Sequence, residues 1–213
     1  MNPKPPPPRT LQPPFPRNVP LAKARLVVNH PSLGRFSLSF QYNPETFRKS
    51  VSLSAIGAGD GQDKAPAYRG AGSQSLTLET MFESTPPLTS DAADNGVLSP
   101  LAALELLLFP PSRDVMAEEA KLDRGIRAVV SSPLPSIVLE WGQRAMPVRL
   151  TQLSVSEDMF DAELNPIRAV VTMTFEAVTY SSTDSSSNDA RQFLQYQKRL
   201  EQLARPSQVA RGV

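Results

Sequence analysis

The sequence predicts a mainly β fold, a β-barrel or sandwich with one flanking α-helix and a further helix near the C-terminus. Apolar and polar residues alternate with a period of two in several segments, which is typical of strands with one buried face. One leucine-rich segment has helical spacing instead and is bounded by prolines. The length of 213 residues suits a single domain with terminal extensions.

Composition divides the chain into four parts. Residues 1–20 contain nine prolines, which disfavour helices and sheet interiors and favour an extended polyproline conformation. This part is predicted to be an extended arm, either a disordered tail or a segment lying on a neighbouring subunit. Residues 21–180 form the predicted β domain, the serine-rich residues 181–187 a linker, and residues 188–213 a helical extension.

The domain is predicted to open with a hairpin. Ala24, Leu26 and Val28 alternate with Arg25 and Val27, apolar and polar residues alternate at 36–41, and a turn cluster containing His30 and Gly34 lies between them. Asn43 and Pro44 then end the second strand, because asparagine can bond its own backbone and proline fixes φ. A weaker third strand is expected near residues 47–53.

The middle of the domain combines a strand and a helix. Residues 75–82 alternate well and predict a strand between loops at 57–73 and 84–97. Ser99 and Pro100 are expected to be the N-cap and first residue of a helix that reaches about Phe109. A short helix near residues 118–129 is less clear. The predicted buried stripe of the first helix comprises Leu101, Leu104, Leu107 and Leu108.

The last strands carry the clearest pattern. Residues 137–141 predict a strand that turns at residues 142–144 into a second strand, residues 146–157. The apolar positions of this second strand change from even to odd numbers, so a β-bulge is expected near Thr151 and Gln152. Residues 167–177 alternate throughout. Their outer face, polar at Arg168, Thr172, Thr174 and Glu176, suits the wall of a wet channel.

An amphipathic helix is predicted from an Asn188 cap to about Ala204. Its apolar stripe must be buried either on the chain's own barrel or on a partner, and the sequence leaves both open. The candidate partner-contact residues are Phe193, Tyr196, Leu200 and Leu203.

Composition argues against several functional classes. The chain has no cysteine, so disulfides, thiolate metal sites and a cysteine nucleophile are excluded. The core, residues 21–180, carries a net charge of −4 and the two ends carry +3 and +2, a poor distribution for binding nucleic acid. No apolar run could span a bilayer and no secretory signal is evident, so we expect synthesis in the cytoplasm and no direct membrane insertion.

Residues that could support catalysis lack the partner residues that a catalytic motif requires. His30 is the single histidine, and a surface position in the turn is the expected role. The glycine-rich residues 57–61 lack the Lys-Ser or Lys-Thr of a phosphate loop, and the acidic pairs at 118–119 and 157–158 are interpreted as solvated charge. We expect no enzyme activity, no cofactor and no metal site.

The order of the motifs resembles the tube-like proteins of contractile injection systems, and most closely a baseplate hub or adaptor protein. The resemblance covers residues 21–180. Its markers occur in the expected order; they are Asn43, Pro44, Glu45, Tyr68, Arg69, Gly70, Trp141, Gly142, Thr174, Phe175 and Glu176.

This resemblance implies a phage tail-tube fold arranged as a homo-hexameric ring. Such a ring would join the central spike protein to the inner tube protein, contact a baseplate wedge protein, and belong to a particle that is extracellular, cytoplasmic or membrane-anchored. Many relatives carry a LysM-like module at the C-terminus, whereas only a short helical extension is present here. The helix at residues 188–204 is therefore expected to take over that contact. The alternatives are the major inner tube protein and a small-molecule-binding barrel.

Overall fold

A computed structural model describes residues 21–53, 55–56, 67–68, 70–84, 96–125 and 132–204, so the proline-rich arm lies outside the described residues. The mainly β fold class is confirmed. Seven antiparallel strands form one sheet in the order β2-β1-β7-β8-β9-β6-β3, and β4 pairs with β5 separately. The elements are β1 (Arg25–His30), β2 (Gly34–Ser39), β3 (Phe47–Ser52), β4 (Ala55–Ile56), β5 (Ala67–Tyr68), β6 (Ser73–Glu83), α1 (Leu98–Glu105), α2 (Ser112–Leu122), β7 (Ser136–Trp141), β8 (Arg144–Phe160), β9 (Pro166–Ala177) and α3 (Asn188–Ala204).

The sheet is curled, because β2 and β3 follow each other in sequence but lie at opposite edges. If the sheet were flat, six strand spacings would separate these edges by roughly 29 Å, near the limit that the short link at residues 40–46 could span. Side chains join the link to β6 across the remaining gap. The Thr80 hydroxyl donates to the Tyr42 carbonyl (2.8 Å), and the Gln41 side chain bonds the Glu83 carbonyl (2.9 Å) and N–H (2.8 Å).

The inner face of the curled sheet holds one hydrophobic core. Alternate residues of β6 and β9 point into it, as the sequence predicts, and Phe40 at the end of β2 is fully buried. Leucines of α1 join the same cluster. The largest fully buried side chains are Phe40, Phe175, Leu26, Leu76, Leu78, Leu104, Ile137, Leu139 and Met173.

The predicted β-bulge in β8 is confirmed. Leu150 is opposite Phe175 and Gln152 is opposite Thr174, so Thr151 is the extra residue. The Thr151 hydroxyl donates to the Thr174 carbonyl at 3.0 Å, which bonds the bulged residue to β9. The bulge lets the apolar side chains on both sides of it reach the same inner face.

The predicted boundaries of the two middle helices are wrong. α1 begins at Leu98, and Ser99 therefore lies within its first turn. The N–H of the buried Val97 donates to the Pro166 carbonyl (2.9 Å), which fixes the start earlier than side-chain capping suggests. Leu108 is 39 % exposed, because the chain tightens into turns after α1 ends. α2 begins at Ser112, directly after Pro111, and residues 126–131 lie outside the described residues.

His30 is buried, so the predicted surface position is wrong. Its Nδ1 accepts the N–H groups of Ser32 (3.1 Å) and Leu33 (3.2 Å), which leaves Nε2 to donate to the Leu106 carbonyl at 3.0 Å. The imidazole thus joins the β1–β2 turn to the end of α1. Both ring nitrogens serve the fold.

Asn43 bonds the start of β1, whereas the sequence suggests a bond to its own backbone. Its Oδ1 accepts the Ala24 N–H (3.0 Å), and its Nδ2 donates to the Ala22 carbonyl (2.8 Å). Pro44 beside it is buried, whereas Glu45 is exposed and makes no hydrogen bond or ion pair with the described residues. Asn43 therefore anchors the link that crosses the sheet.

Replacing Asn43 by alanine should lower the free energy of unfolding by about 1–3 kcal/mol, because two main-chain groups of the β1 entry lose their partner. Urea denaturation followed by tryptophan fluorescence measures this change. Asn29→Ala is the matched control, since Asn29 is an exposed residue of β1. Equal stability of the two variants would contradict the anchoring role.

Candidate functional site

The described residues offer surfaces for association with other chains. The described residues contain no group of three His, Cys, Asp or Glu side chains that could hold a metal ion. The single histidine uses both nitrogens for the fold. Three surfaces are available for contacts, namely the outer half of β8, the hairpin tip that follows it and the helix α3.

The outer half of β8 has an unpaired edge. β7 pairs with β8 only from Arg144 to Val148, whereas β8 continues to Phe160 beside β9. From Arg149 onward, the other edge of β8 pairs with no strand among the described residues. We call this stretch, residues 149–160, the open β8 edge. Unpaired strand edges present a row of backbone donors and acceptors that a second chain can pair with.

The hairpin tip, residues 157–165, is an ordered and exposed structure. Asp161 Oδ1 accepts the N–H groups of Glu163 (3.0 Å) and Asn165 (2.7 Å), and Oδ2 accepts Asn165 Nδ2 (2.9 Å). The Asn165 side-chain bond, with these backbone bonds, lowers the pKa of Asp161 despite the opposing effect of desolvation. Met159 and Leu164 adopt positive φ values of 55° and 65°, uncommon for such residues.

The tip combines apolar and acidic side chains. Met159 is 62 % exposed, Phe160 49 % and Leu164 78 %. The acidic residues beside them are Glu157, Asp158, Asp161 and Glu163, and no basic residue lies between Ser156 and Ile167. Large exposed apolar side chains next to charges are typical of a contact surface.

The outer face of β9 is polar, and two of its side chains bond side chains of the neighbouring strand β6. The Arg168 Nε donates to Met81 Sδ (3.0 Å), and the Thr172 hydroxyl donates to Glu79 (3.3 Å). Thr174 is half-buried and Glu176 exposed on this face, opposite the core. The face expected to suit a channel wall is therefore polar and continuous with β6.

The helix α3 packs on the chain's own sheet. Phe193 and Tyr196 are buried there, and the Phe193 ring lies 6.0 Å from those of Tyr180 and Tyr196. Lys49 Nζ donates to the Tyr196 hydroxyl at 2.8 Å. The Ser187 hydroxyl accepts the Ala190 N–H, so Ser187 is the cap rather than Asn188.

Of the four candidate partner-contact residues, two therefore hold α3 in place. The other two remain exposed, Leu200 to 39 % and Leu203 to 50 %. α3 presents them on its last turns.

Some family markers occupy corners and turns, whereas Thr174, Phe175 and Glu176 lie within β9. Trp141 packs on Phe47 at 4.9 Å, and Gly142 has a positive φ of 58° in the two-residue turn into β8. Gly70 has φ 132°, and a side chain there would meet Ser181. Tyr68 is 81 % exposed, and Arg69 lies outside the described residues. No hydrogen bond joins two markers within the described chain, so they position segments rather than form a common site.

Sequence reasoning missed the hairpin tip as a surface. The signal was present, since Met159 and Phe160 stand beside Glu157 and Asp158 where the strand pattern ends. The strand predicted from the sequence ends at residue 157, and only the structure shows that β8 continues to Phe160 and carries these residues outward.

Comparison with known proteins identifies the family of this chain. The family model of the contractile injection system tube protein matches residues 27–186, well over half of the chain. The chain therefore belongs to the contractile injection system tube protein family. A comparison with curated proteins gave no significant match. Within the described part of the chain, no helix is long and apolar enough to cross a membrane.

Replacing Asp161 by alanine should disorder the hairpin tip. Hydrogen exchange of the Glu163 and Asn165 amides at pH 7 should accelerate on the order of tenfold, because the carboxylate that accepts both N–H groups is gone. Asp184→Ala is the matched control, since Asp184 bonds the Ser186 N–H and hydroxyl in a separate turn. Unchanged exchange at the tip would contradict the role assigned to Asp161.

The same contact should depend on pH. Because the folded pKa of Asp161 is lowered, its contribution is complete above the ordinary value of 3.8 and is lost as the pH falls through the lowered pKa. Amide chemical shifts of the tip should follow this transition.

Proposed function

We propose that this tube-family protein is a baseplate adaptor, a homo-hexameric ring that joins the central spike protein to the inner tube protein and contacts a baseplate wedge protein. Its family assigns it a structural, tube-like role in a contractile injection system. The observation that carries the ring proposal is the open β8 edge. A ring gives every such edge a neighbour.

The curled sheet supplies two surfaces for such a ring. The open β8 edge would face the adjacent subunit, where backbone pairing and contacts at residues 149–160 extend the sheet. The polar outer face of β9 and β6 would face the wet channel, because its threonines and charges tolerate water.

The end of α3 is proposed to contact the wedge or a neighbouring adaptor. Phe193 and Tyr196 fix the helix on the sheet, and Leu200 and Leu203 project from its last turns.

The major inner tube protein is the second candidate, and the family description itself favours it. A tube subunit must stack on copies of itself, which leaves little room for additional docking segments. The proline-rich residues 1–20 and the α3 extension therefore favour the adaptor.

A small-molecule barrel and an enzyme have less support. The interior of the curled sheet is filled by side chains such as Phe175 and Met173, both fully buried. The grooves found on the described surface are open to solvent and partly polar. The structural nature of the tube family also supports a role without catalysis.

Copy number in purified particles tests the proposal. An adaptor should be present in six copies per particle end, whereas the major tube protein should exceed one hundred copies, because the tube has many layers. Quantitative mass spectrometry against the spike protein measures the ratio, and cryo-electron microscopy locates the ring. A copy number that scales with tube length would overturn the adaptor assignment in favour of the tube.

Replacing both Leu200 and Leu203 by serine should weaken the wedge contact but leave the subunit folded. Particles carrying this variant should show reduced wedge occupancy in electron micrographs. Leu122→Ser is the matched control, because Leu122 is a similarly exposed leucine at the end of α2. Normal wedge occupancy in particles of the double variant would contradict the proposed role of α3.

A further inference from the structure

A groove runs between α3 and the outer faces of β1, β2 and β7. One end has a volume of about 350 Å³ and is lined by Arg144 and Arg199 among others. The other end, about 450 Å³, reaches Ser187 at the start of α3. Val27, Arg35, Val138 and Gln192 line both ends, so the two form one continuous groove. Two apolar residues, Val27 and Val138, line both ends, and we call them the floor; the other lining residues are mostly polar.

The groove carries unbalanced positive charge. Arg35, Arg144 and Arg199 line it, and none forms an ion pair within the described chain. Two carboxylates line the same groove. Glu140 pairs with Arg25, whereas Asp189 keeps its negative charge while it accepts the Ser136 hydroxyl, so the three arginines still leave positive charge in excess. The groove therefore favours an acidic occupant.

A second sign of a missing occupant is Gln192. Its Oε1 atom is buried and has no hydrogen-bond partner in the described part of the chain, although the side chain lines both ends of the groove. A buried acceptor without a donor costs free energy, so a rotation of the Gln192 side chain that brings Oε1 to an N–H group of a bound segment would be favourable.

The hairpin tip of this same chain has the matching chemistry. It carries four carboxylates at residues 157–163 and three exposed apolar side chains, Met159, Phe160 and Leu164. The carboxylates suit the three arginines, and the apolar side chains suit the floor formed by Val27 and Val138.

One chain cannot make this contact with itself. Arg144 in the groove and Phe160 at the tip stand at opposite ends of β8, which at strand spacing are roughly 50 Å apart. We propose that the hairpin tip of one copy docks in the arginine-lined groove beside α3 of a second copy. The contact joins two different surfaces, so it is head-to-tail and propagates into a closed ring or a stack.

The inference rests on the proposed self-assembly and names the surfaces that would carry it. Cross-linking tests it directly, because the full chain has no cysteine and each introduced thiol is unique. Tagged Leu164→Cys is mixed with untagged Gln195→Cys, which lies in the groove, and treated with a short bismaleimide. Leu164→Cys mixed with Met116→Cys is the matched control, since Met116 is exposed on α2.

The expected result is a covalent heterodimer at least about tenfold more abundant than in the control. Reversing the groove charges with R35E, R144E and R199E should reduce the yield about tenfold, because like charges then face each other. Adding E157K, D158K and E163K to the tip partner should restore it. This rescue separates a lost contact from a misfolded variant.

A yield equal to the control, or one that charge reversal leaves unchanged, overturns the inference. Copy number in particles is measured independently, so the two proposals fail separately. Six copies per particle without this cross-link would retain the adaptor and reject the contact. The cross-link with a length-dependent copy number would retain the contact and place it in the tube.

Discussion

The short link between β2 and β3 is the constraint on which the rest of the structure depends. Because it joins the two opposite edges of a seven-stranded sheet, the sheet must curl until those edges approach each other. Curling divides the sheet into a dry inner face and a mostly wet outer face. Asn43 bonds the link to the start of β1, and the Thr80 hydroxyl on β6 donates to the Tyr42 carbonyl of the link. The core, the position of α1 and the polar surface all follow from this closure.

A second feature of the sheet is that the neighbouring strands β7 and β8 differ greatly in length. β8 has seventeen residues, whereas its neighbour β7 has six, so more than half of β8 has no partner strand on that side among the described residues. In a lone globular domain such an edge would invite aggregation. In a family whose members assemble, this edge is the surface that we propose for association, and the acidic hairpin tip extends it. α3 adds a groove on the opposite end of the same strand. The chain thus carries complementary surfaces at the two ends of one long hairpin.

The sequence predicts the strands of this fold well, because each has one buried face and therefore a period of two. The Thr151 bulge follows from the same rule, since the apolar positions of a one-faced strand change parity where an extra residue is inserted. The residue at which a helix begins is harder to predict from the sequence. α1 begins at Leu98 because Val97 bonds Pro166, a residue far away in sequence. The surface position expected for His30 is wrong for the same reason, since only the fold brings the Leu106 carbonyl to it. The groove beside α3 is beyond sequence reasoning, because its arginines come from β2, β8 and α3.

The bulge also restricts how the hairpin can change in length. Beyond Thr151, side chains alternate strictly between the two faces, so one inserted or deleted residue would exchange the inner Leu153 and Val155 with outer polar residues. Pairs of residues, matched on β8 and β9, preserve the faces and move the tip by about 7 Å for each pair. Evolution or an engineer could therefore adjust the reach of the tip in discrete steps while the core remains unaltered. In an assembly of fixed radius or layer spacing, these discrete hairpin lengths would determine which subunits fit together.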